Sequence, residues 1–82
     1  MEKKILVVDD EEMLRTLFED AFTSAGYTVR SAAGGEEALG ILEKEDIHVM
    51  FLDLNMPGMN GIELCRRIRK MNAMAVIHAV TG

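Results

Sequence analysis

The stretch HVMFLDLNMPGMNG, residues 48–61, decides how this chain folds. It begins with an apolar run that is typical of a strand buried on both faces, and this run ends on Asp53. A Pro-Gly turn follows, and then Asn60, which has the spacing of a helix cap. The stretch therefore predicts a carboxylate at the end of a buried strand, directly before a turn and a helix.

A second apolar run, Ile5-Leu6-Val7-Val8, ends in a matching way on Asp9-Asp10. In an open parallel sheet, ligands bind just beyond the C-terminal ends of the strands. Three carboxylates gathered at that edge would repel one another unless a cation lay among them. Together the two runs predict an acidic, metal-dependent site in which one aspartate is free to react.

Strand-like and helix-like patterns alternate along the rest of the chain. Short strands are predicted at residues 27–31 and 75–80, and apolar residues recur at helical spacing between the strands. Glu36 and Glu37 suit the first turn of the second helix, because the positive end of the helix dipole attracts acidic groups. The order βαβαβαβ predicts an α/β fold with a parallel sheet and right-handed crossovers, in one domain over residues 1–82.

Composition narrows the classes of function. A chain of 82 residues makes one small domain at most, and its net charge of −5 argues against direct nucleic-acid binding, which needs a basic face. The single cysteine, Cys65, fits a reducing compartment. No segment approaches the ~20 apolar residues that span a bilayer. We therefore expect a cytoplasmic location and no membrane partner.

Some of these residues also have plainer interpretations. The adjacent acids Asp9-Asp10 are, by themselves, equally compatible with a solvated turn or a helix cap. Their combination with Asp53 is what favours a site. His48 and His78 have no paired ligand at a metal-binding spacing, so we expect histidines of the core or of a strand entry.

Three segments carry a resemblance to a known family: ILVVDDE at residues 5–11, LDLNMPGMNG at residues 52–61 and VTG at residues 80–82. The middle segment is the most specific, because an aspartate at a strand end followed by Met-Pro-Gly and Asn-Gly is rarely seen elsewhere. Across its 82 residues the chain resembles the receiver domain of bacterial two-component response regulators. The resemblance implies a flavodoxin-like, doubly wound parallel sheet with strand order 2-1-3-4, in which the fifth strand and the last helices of the family are missing.

The resemblance also implies a role for each site residue. Asp53 would be the phosphoacceptor, and it would take a phosphoryl group from a histidine of a sensor kinase or phosphotransfer protein. Asp10 would bind Mg²⁺ directly, and Asp9 would bind the metal or hold metal-bound water. Asn55 would contribute its backbone carbonyl to the metal. Thr81 would donate a hydrogen bond to the phosphoryl group and move when the domain switches.

In the family, a lysine after the fifth strand pairs with the phosphoacceptor, and no residue of this chain is assigned to that role.

Two other functions stay open at this point. The first is a phosphohydrolase with an aspartyl nucleophile, which needs a second acid two residues later, where this chain has Asn55. A truncated receiver could also act as a non-phosphorylated interaction module. Whatever its function, the 82-residue chain is expected to self-associate through the uncovered edge of its fourth strand, at Val76, Ile77, Ala79 and Val80, because the strand that would lie beside it is missing.

Overall fold

The computed structural model describes residues 3–80, which form four strands and three helices. The strands are β1 (Lys4–Val8), β2 (Thr28–Ala32), β3 (Val49–Asp53) and β4 (Val76–Val80). The helices are α1 (Glu12–Ser24), α2 (Gly35–Lys44) and α3 (Gly61–Met71). All neighbouring strands are parallel, in the order β2-β1-β3-β4. The predicted α/β class and strand order are confirmed.

β1 is the central strand that its apolar run predicts. It lies between β2 and β3, and its residues from Ile5 to Val8 are buried. A strand with neighbours on both sides and helices on both faces needs such a continuous apolar run. Its register pairs Val8 with Leu52, the residue before the end of β3. The acids that follow these two residues therefore arrive at the same edge of the sheet.

One face of the sheet carries the main hydrophobic core. Leu6 of β1 and Met50 and Leu52 of β3 pack there against Leu64 and Ile68 of α3, and all five side chains are essentially inaccessible to solvent. Side chains of α2 complete this layer. Burial on this scale stabilises by roughly 1.5–3 kcal/mol per large side chain, so this face supplies most of the hydrophobic stabilisation.

The opposite face is covered by α1 through an aromatic cluster. The ring centroid of Phe51 in β3 lies 4.9 Å from that of Phe22 and 5.9 Å from that of Phe18. His78 of β4 also stacks against Phe51, with ring centroids 4.7 Å apart. No residue of α1 is buried, and Leu17 is 58 % exposed. Within residues 3–80, no helix combines the length and the apolarity needed to cross a membrane.

The predicted cap of α3 forms in one direction only. The Asn60 side chain accepts a hydrogen bond from the Glu63 backbone N–H at 2.9 Å. The Glu63 carboxylate does not return the bond, because it pairs with Arg66 at 3.1 Å and Arg67 at 3.0 Å. The hydrogen bond that Glu63 accepts from Arg67 is the largest cause that lowers the pKa of Glu63 below its usual value. Arg66 and Arg67 thus bind the Glu63 carboxylate, which would otherwise complete a reciprocal capping box with Asn60.

β4 forms the outer edge of the described sheet. Val76 and Ala79 are exposed, whereas Ile77 packs partly against the core. The Val76 N–H donates to the carbonyl just before β3 at 2.7 Å, and the Val80 carbonyl accepts from the N–H just after β3 at 3.2 Å. Because backbone groups alternate along a strand, those of Ile77 and Ala79 point away from β3.

Candidate functional site

Three aspartates meet at the C-terminal edge of the sheet. Asp9 and Asp10 follow β1, and Asp53 is the last residue of β3. Each offers a carboxylate oxygen, and these oxygens lie within 4.8 Å of one another. The structure thus brings together the three acids that the strand ends predict. We refer to Asp9, Asp10 and Asp53 as the acidic cluster.

Asp9 is the most rigidly held member of the acidic cluster. It is only 3 % exposed, and its backbone N–H donates to the Ala32 carbonyl at 3.1 Å. Its Oδ1 accepts from the Glu11 backbone N–H at 2.9 Å, and its carbonyl oxygen accepts from Arg15 Nη1 at 2.7 Å. Backbone and side chain are therefore both anchored, and the carboxylate cannot turn away from its neighbours without breaking a hydrogen bond.

The cluster opposes its own ionisation. Burial is the largest cause that raises the pKa of Asp9, and the negative charges of Asp53 and Asp10 raise it further. The hydrogen bond from Glu11 and the positive charge of Arg15 act in the opposite direction. None of the ion pairs formed within residues 3–80 includes a carboxylate of the cluster. A bound cation would therefore stabilise the charged form.

Asp53 lies at the end of β3 and is less exposed than Asp10 but more exposed than Asp9. Its side chain is partly exposed, and its Oδ1 accepts from the Asn55 backbone N–H at 2.9 Å. The turn after β3 thus fixes one carboxylate oxygen through its own backbone. The role of the Asn55 carbonyl in metal binding stays a prediction, and Thr81 lies outside the described residues.

The oxygen ligands of the cluster fit a hard divalent cation. All three side chains are carboxylates, and neither histidine nor cysteine is part of the group. Oxygen-only sites favour Mg²⁺ or Ca²⁺ over zinc, which prefers nitrogen and sulfur ligands. A site with few carboxylates that is partly open to solvent suits Mg²⁺ in particular, because Mg²⁺ keeps several of its waters.

Gly61 sets how closely α3 approaches the end of β3. A Cβ atom on Gly61 would lie 2.5 Å from the Leu54 Cα and 2.6 Å from the Asp53 carbonyl oxygen. The Gly61 N–H donates to the Leu54 carbonyl at 3.3 Å. In the same turn, Gly58 has a φ of 77°, in the left-handed region that glycine adopts most easily. Both glycines are therefore needed for the turn that positions Asp53.

Arg15 contacts the site but was not predicted from the sequence. It lies in the first turns of α1 and donates to the Asp9 carbonyl across the β1–α1 connection. One signal was available: Arg15 is the only lysine or arginine between Lys4 and Arg30. A lone cation one turn into a helix is a candidate partner for the four consecutive acids at residues 9–12 that precede it.

Comparisons with known proteins identify relatives along the whole chain. The family model of the response regulator receiver domain matches residues 5–82. The alkaline phosphatase synthesis transcriptional regulatory protein PhoP of Bacillus subtilis is 43 % identical over 82 residues, which are 100 % of this chain and 34 % of that protein. The transcriptional regulatory protein AfsQ1 of Streptomyces coelicolor is 36 % identical over 73 residues, 89 % of this chain and 32 % of that protein. The chain thus spans about a third of the length of these relatives.

Solved structures agree with the fold. A response regulator receiver protein from Pseudomonas putida superposes with a TM-score of 0.94 at 33 % identity, over 100 % of this chain and 69 % of that chain. The response regulator protein TrrA from Thermotoga maritima, crystallised with Mg²⁺ and BeF, gives a TM-score of 0.91 at 39 % identity, over 96 % of this chain and 69 % of that chain. Because the family model matches from residue 5 to residue 82 and the sheet order is that of these relatives, the chain belongs to the family of response regulator receiver domains.

Proposed function

We propose that this receiver domain is a phosphoacceptor switch. It takes a phosphoryl group from a histidine of a sensor kinase or phosphotransfer protein onto Asp53, in a Mg²⁺-dependent reaction, and relays the signal by a conformational change. The observation that carries the proposal is the convergence of three carboxylates within 4.8 Å at the ends of β1 and β3. Among them, Asp9 is buried and fixed, whereas Asp10 is exposed and Asp53 is partly exposed at the end of β3, so that a donor could reach Asp53.

The reaction is a phosphoryl transfer to a carboxylate oxygen. Asp53 attacks the phosphorus of the phosphohistidine, so that an O–P bond forms while the N–P bond breaks. The imidazole leaves with the electron pair of the N–P bond and takes up a proton. The Asn55 N–H supports this step, because it donates to Asp53 Oδ1 at 2.9 Å and so limits the rotation of the carboxylate. Water later hydrolyses the acyl phosphate, so the domain acts on itself and on no separate substrate.

The metal would be held by Asp9, Asp10 and Asp53, with the Asn55 backbone carbonyl as a further ligand. Mg²⁺ supplies electrostatic stabilisation, since it offsets the repulsion between the anionic donor and the acidic cluster. The anchoring of Asp9 by hydrogen bonds supports its assignment as a fixed ligand. Thr81 would then donate its hydroxyl to a phosphoryl oxygen.

Chemical phosphorylation tests the proposal. The complete natural chain is incubated with acetyl phosphate and Mg²⁺, and its intact mass is followed with and without EDTA. We expect the addition of one phosphoryl group, dependent on Mg²⁺ and labile to hydroxylamine, as an acyl phosphate is. A chain that binds a sensor kinase but never gains this group would favour the alternative, a non-phosphorylated interaction module.

Mg²⁺ is expected to raise the melting temperature, because a ligand that binds only the folded state stabilises it by mass action. At about tenfold excess over Kd the gain is roughly 1.4 kcal/mol, or about 5–10 °C for a domain of this size. Asp10→Asn should remove most of the shift. Asp20→Asn is the matched control, because it removes the same charge from an exposed position of α1. An equal shift in the wild type and Asp10→Asn would contradict the metal site.

The signalling context is part of the proposal. PhoP and AfsQ1 are transcriptional regulators by name, and this chain matches about a third of each. The output of the natural protein would therefore reside outside the receiver domain. The net charge of −5 supports a domain that does not itself bind nucleic acid. A cytoplasmic location would give it access to the kinase.

A polypeptide limited to residues 1–82 is expected to self-associate through β4. The outward backbone groups of Ile77 and Ala79 form an unpaired edge, which is a template for another strand. Sedimentation at micromolar concentration should detect dimers or larger species. Ala79→Pro should shift the polypeptide towards monomer, because it removes an outward N–H but no bond to β3. In the control His78→Pro, a bond to β3 is lost, so unfolding is expected instead. A concentration-independent monomer with cooperative unfolding would show the expectation to be wrong.

A further inference from the structure

We propose that Arg15 is an internal counter-ion of the acidic cluster and that it competes with Mg²⁺ for the same negative potential. The inference rests on the proposed metal site. It adds that the positive charge of Arg15 offsets the negative charge of the cluster when no metal is bound. It starts from one contact: Arg15 Nη1 donates to the Asp9 carbonyl at 2.7 Å.

The position of Arg15 is well defined. Its own backbone N–H donates to the Glu11 carbonyl at 3.1 Å, and the Glu11 N–H in turn donates to Asp9 Oδ1 at 2.9 Å. Hydrogen bonds thus connect Asp9, directly after β1, to Glu11 before α1 and to Arg15 in its first turns. The Arg15 side chain is partly buried, and its hydrogen bond to the Asp9 carbonyl places a positive charge beside the cluster.

The charge balance around the cluster gives this arginine its significance. Three carboxylates converge, and none of the ion pairs within the described residues neutralises them. Arg15 is the only lysine or arginine in the sequence between Lys4 and Arg30, so α1 offers no second cation. Without metal, Arg15 lowers the repulsion among the acids. With metal bound, the same charge repels Mg²⁺.

The hydrogen bond of Arg15 is not essential for the orientation of Asp9. The bonds of Asp9 to Ala32 and Glu11 do not involve the Arg15 side chain, so we expect them to persist when Arg15 is replaced. Removal of the charge should therefore dominate over loss of the contact. The two effects have opposite signs for metal affinity, because a lost contact weakens binding whereas a lost positive charge strengthens it.

Arg15→Gln, made in the complete natural chain, separates these roles. In EDTA the variant should be less stable to urea than the wild type. Its Kd for Mg²⁺, measured by calorimetry at low ionic strength, should fall about fourfold, which is the size expected for a single and a double charge ~10 Å apart in water with little screening. Arg15→Lys should keep most of the wild-type Kd. Arg66→Gln, with the same charge change on the exposed face of α3, is the control and should leave Kd unchanged.

Ionic strength provides a readout that a purely structural role would not move. At about 1 M salt the Debye length falls to ~3 Å, so the difference in Kd between Arg15→Gln and the wild type should largely vanish. A Kd for Mg²⁺ that is unchanged or weaker in Arg15→Gln at low salt would overturn the inference and leave Arg15 as a positioning residue only.

A metal-free cycle distinguishes failure of this inference from failure of the metal site. In EDTA, Arg15→Gln should cost less stability in an Asp10→Asn background than in the wild type, because there is less repulsion left to offset. If the wild type shows no Mg²⁺ binding, the metal site is wrong, and this cycle still decides whether Arg15 is a counter-ion. If the two backgrounds respond equally, the counter-ion role is wrong whatever the metal does.

Discussion

Asp53→Asn is expected to abolish phosphorylation while raising the stability of the metal-free protein. The nucleophile is lost, because a neutral amide oxygen does not attack phosphorus at a useful rate. The carbonyl oxygen of the new side chain can still accept from the Asn55 N–H, so the turn after β3 is preserved. One negative charge leaves a cluster whose oxygens lie within 4.8 Å. The relief is about 1 kcal/mol for two charges ~4 Å apart in water.

The opposite signs of these effects make the experiment decisive. Intact mass after treatment with acetyl phosphate and Mg²⁺ reports phosphorylation, and urea denaturation in EDTA reports stability. Asp20→Asn is the matched control, since it changes the net charge equally at an exposed position and should alter neither measurement. A phosphoryl group that still appears on Asp53→Asn would refute the assignment of the nucleophile. Loss of phosphorylation together with loss of stability would point to misfolding instead.

Gly61→Ala is expected to destabilise the domain by about 3 kcal/mol, at the upper end of overpacking substitutions. The added Cβ would meet the Leu54 Cα at 2.5 Å and the Asp53 carbonyl oxygen at 2.6 Å. Both are backbone atoms, so no change of rotamer can relieve the contact, and α3 must move away from β3. A single small domain has a total stability of only roughly 5–15 kcal/mol. The variant should therefore melt early and, where it folds, phosphorylate poorly.

Gly40→Ala provides the control for this substitution. Gly40 lies inside α2, and a Cβ there would have no atom within 4 Å. Because alanine is favoured over glycine within a helix, Gly40→Ala should stabilise by roughly 0.5–1 kcal/mol. Urea denaturation of both variants measures the difference. If Gly61→Ala stays within about 0.5 kcal/mol of the wild type, the close approach of α3 is not a constraint.

The fold was predictable because its central strands leave little choice. The runs at Ile5–Val8 and Val49–Leu52 are apolar on both faces, and such strands occur in parallel sheets that helices cover on both sides. The structure shifts the second strand by one residue, to Thr28–Ala32, and begins the third at Val49. Pattern analysis places elements more reliably than their ends, since the ends depend on hydrogen bonds to neighbouring strands.

The extent of burial was less predictable. Helical spacing indicated an apolar side of α1 that includes Leu17, and this side chain is 58 % exposed. Met71 follows Leu64 and Ile68 at helical spacing and so falls on the apolar side of α3, yet it is 47 % exposed at the last residue of the helix. Periodicity shows which side of a helix is apolar. It does not show how far the partner surface reaches.

The candidate site divides in the same way. The three acids could be read from two strand ends, because parallel strands deliver their C-termini to one edge. Arg15 was harder to assign, since its contact with Asp9 crosses from a helix to a strand end and the only signal in the sequence was its isolation as a cation after a run of acids. The constraint on Gly61 likewise depends on the distance between α3 and β3. Tertiary contacts, and not the residue types alone, create both roles.

The unequal cover of the two sheet faces implies that the domain does not open as one unit. α1 contributes no buried residue, whereas α3 buries Leu64 and Ile68 completely. Partial unfolding free energies follow buried apolar contact, so α1 should detach while the other layer persists. Amide hydrogens of α1 would then exchange faster than those of α3. Because α1 carries Arg15, each such excursion would also uncouple the acidic cluster from this cation. Since the charge of Arg15 opposes metal binding, a bound metal should in turn favour the detached state and speed the exchange at this end of the helix.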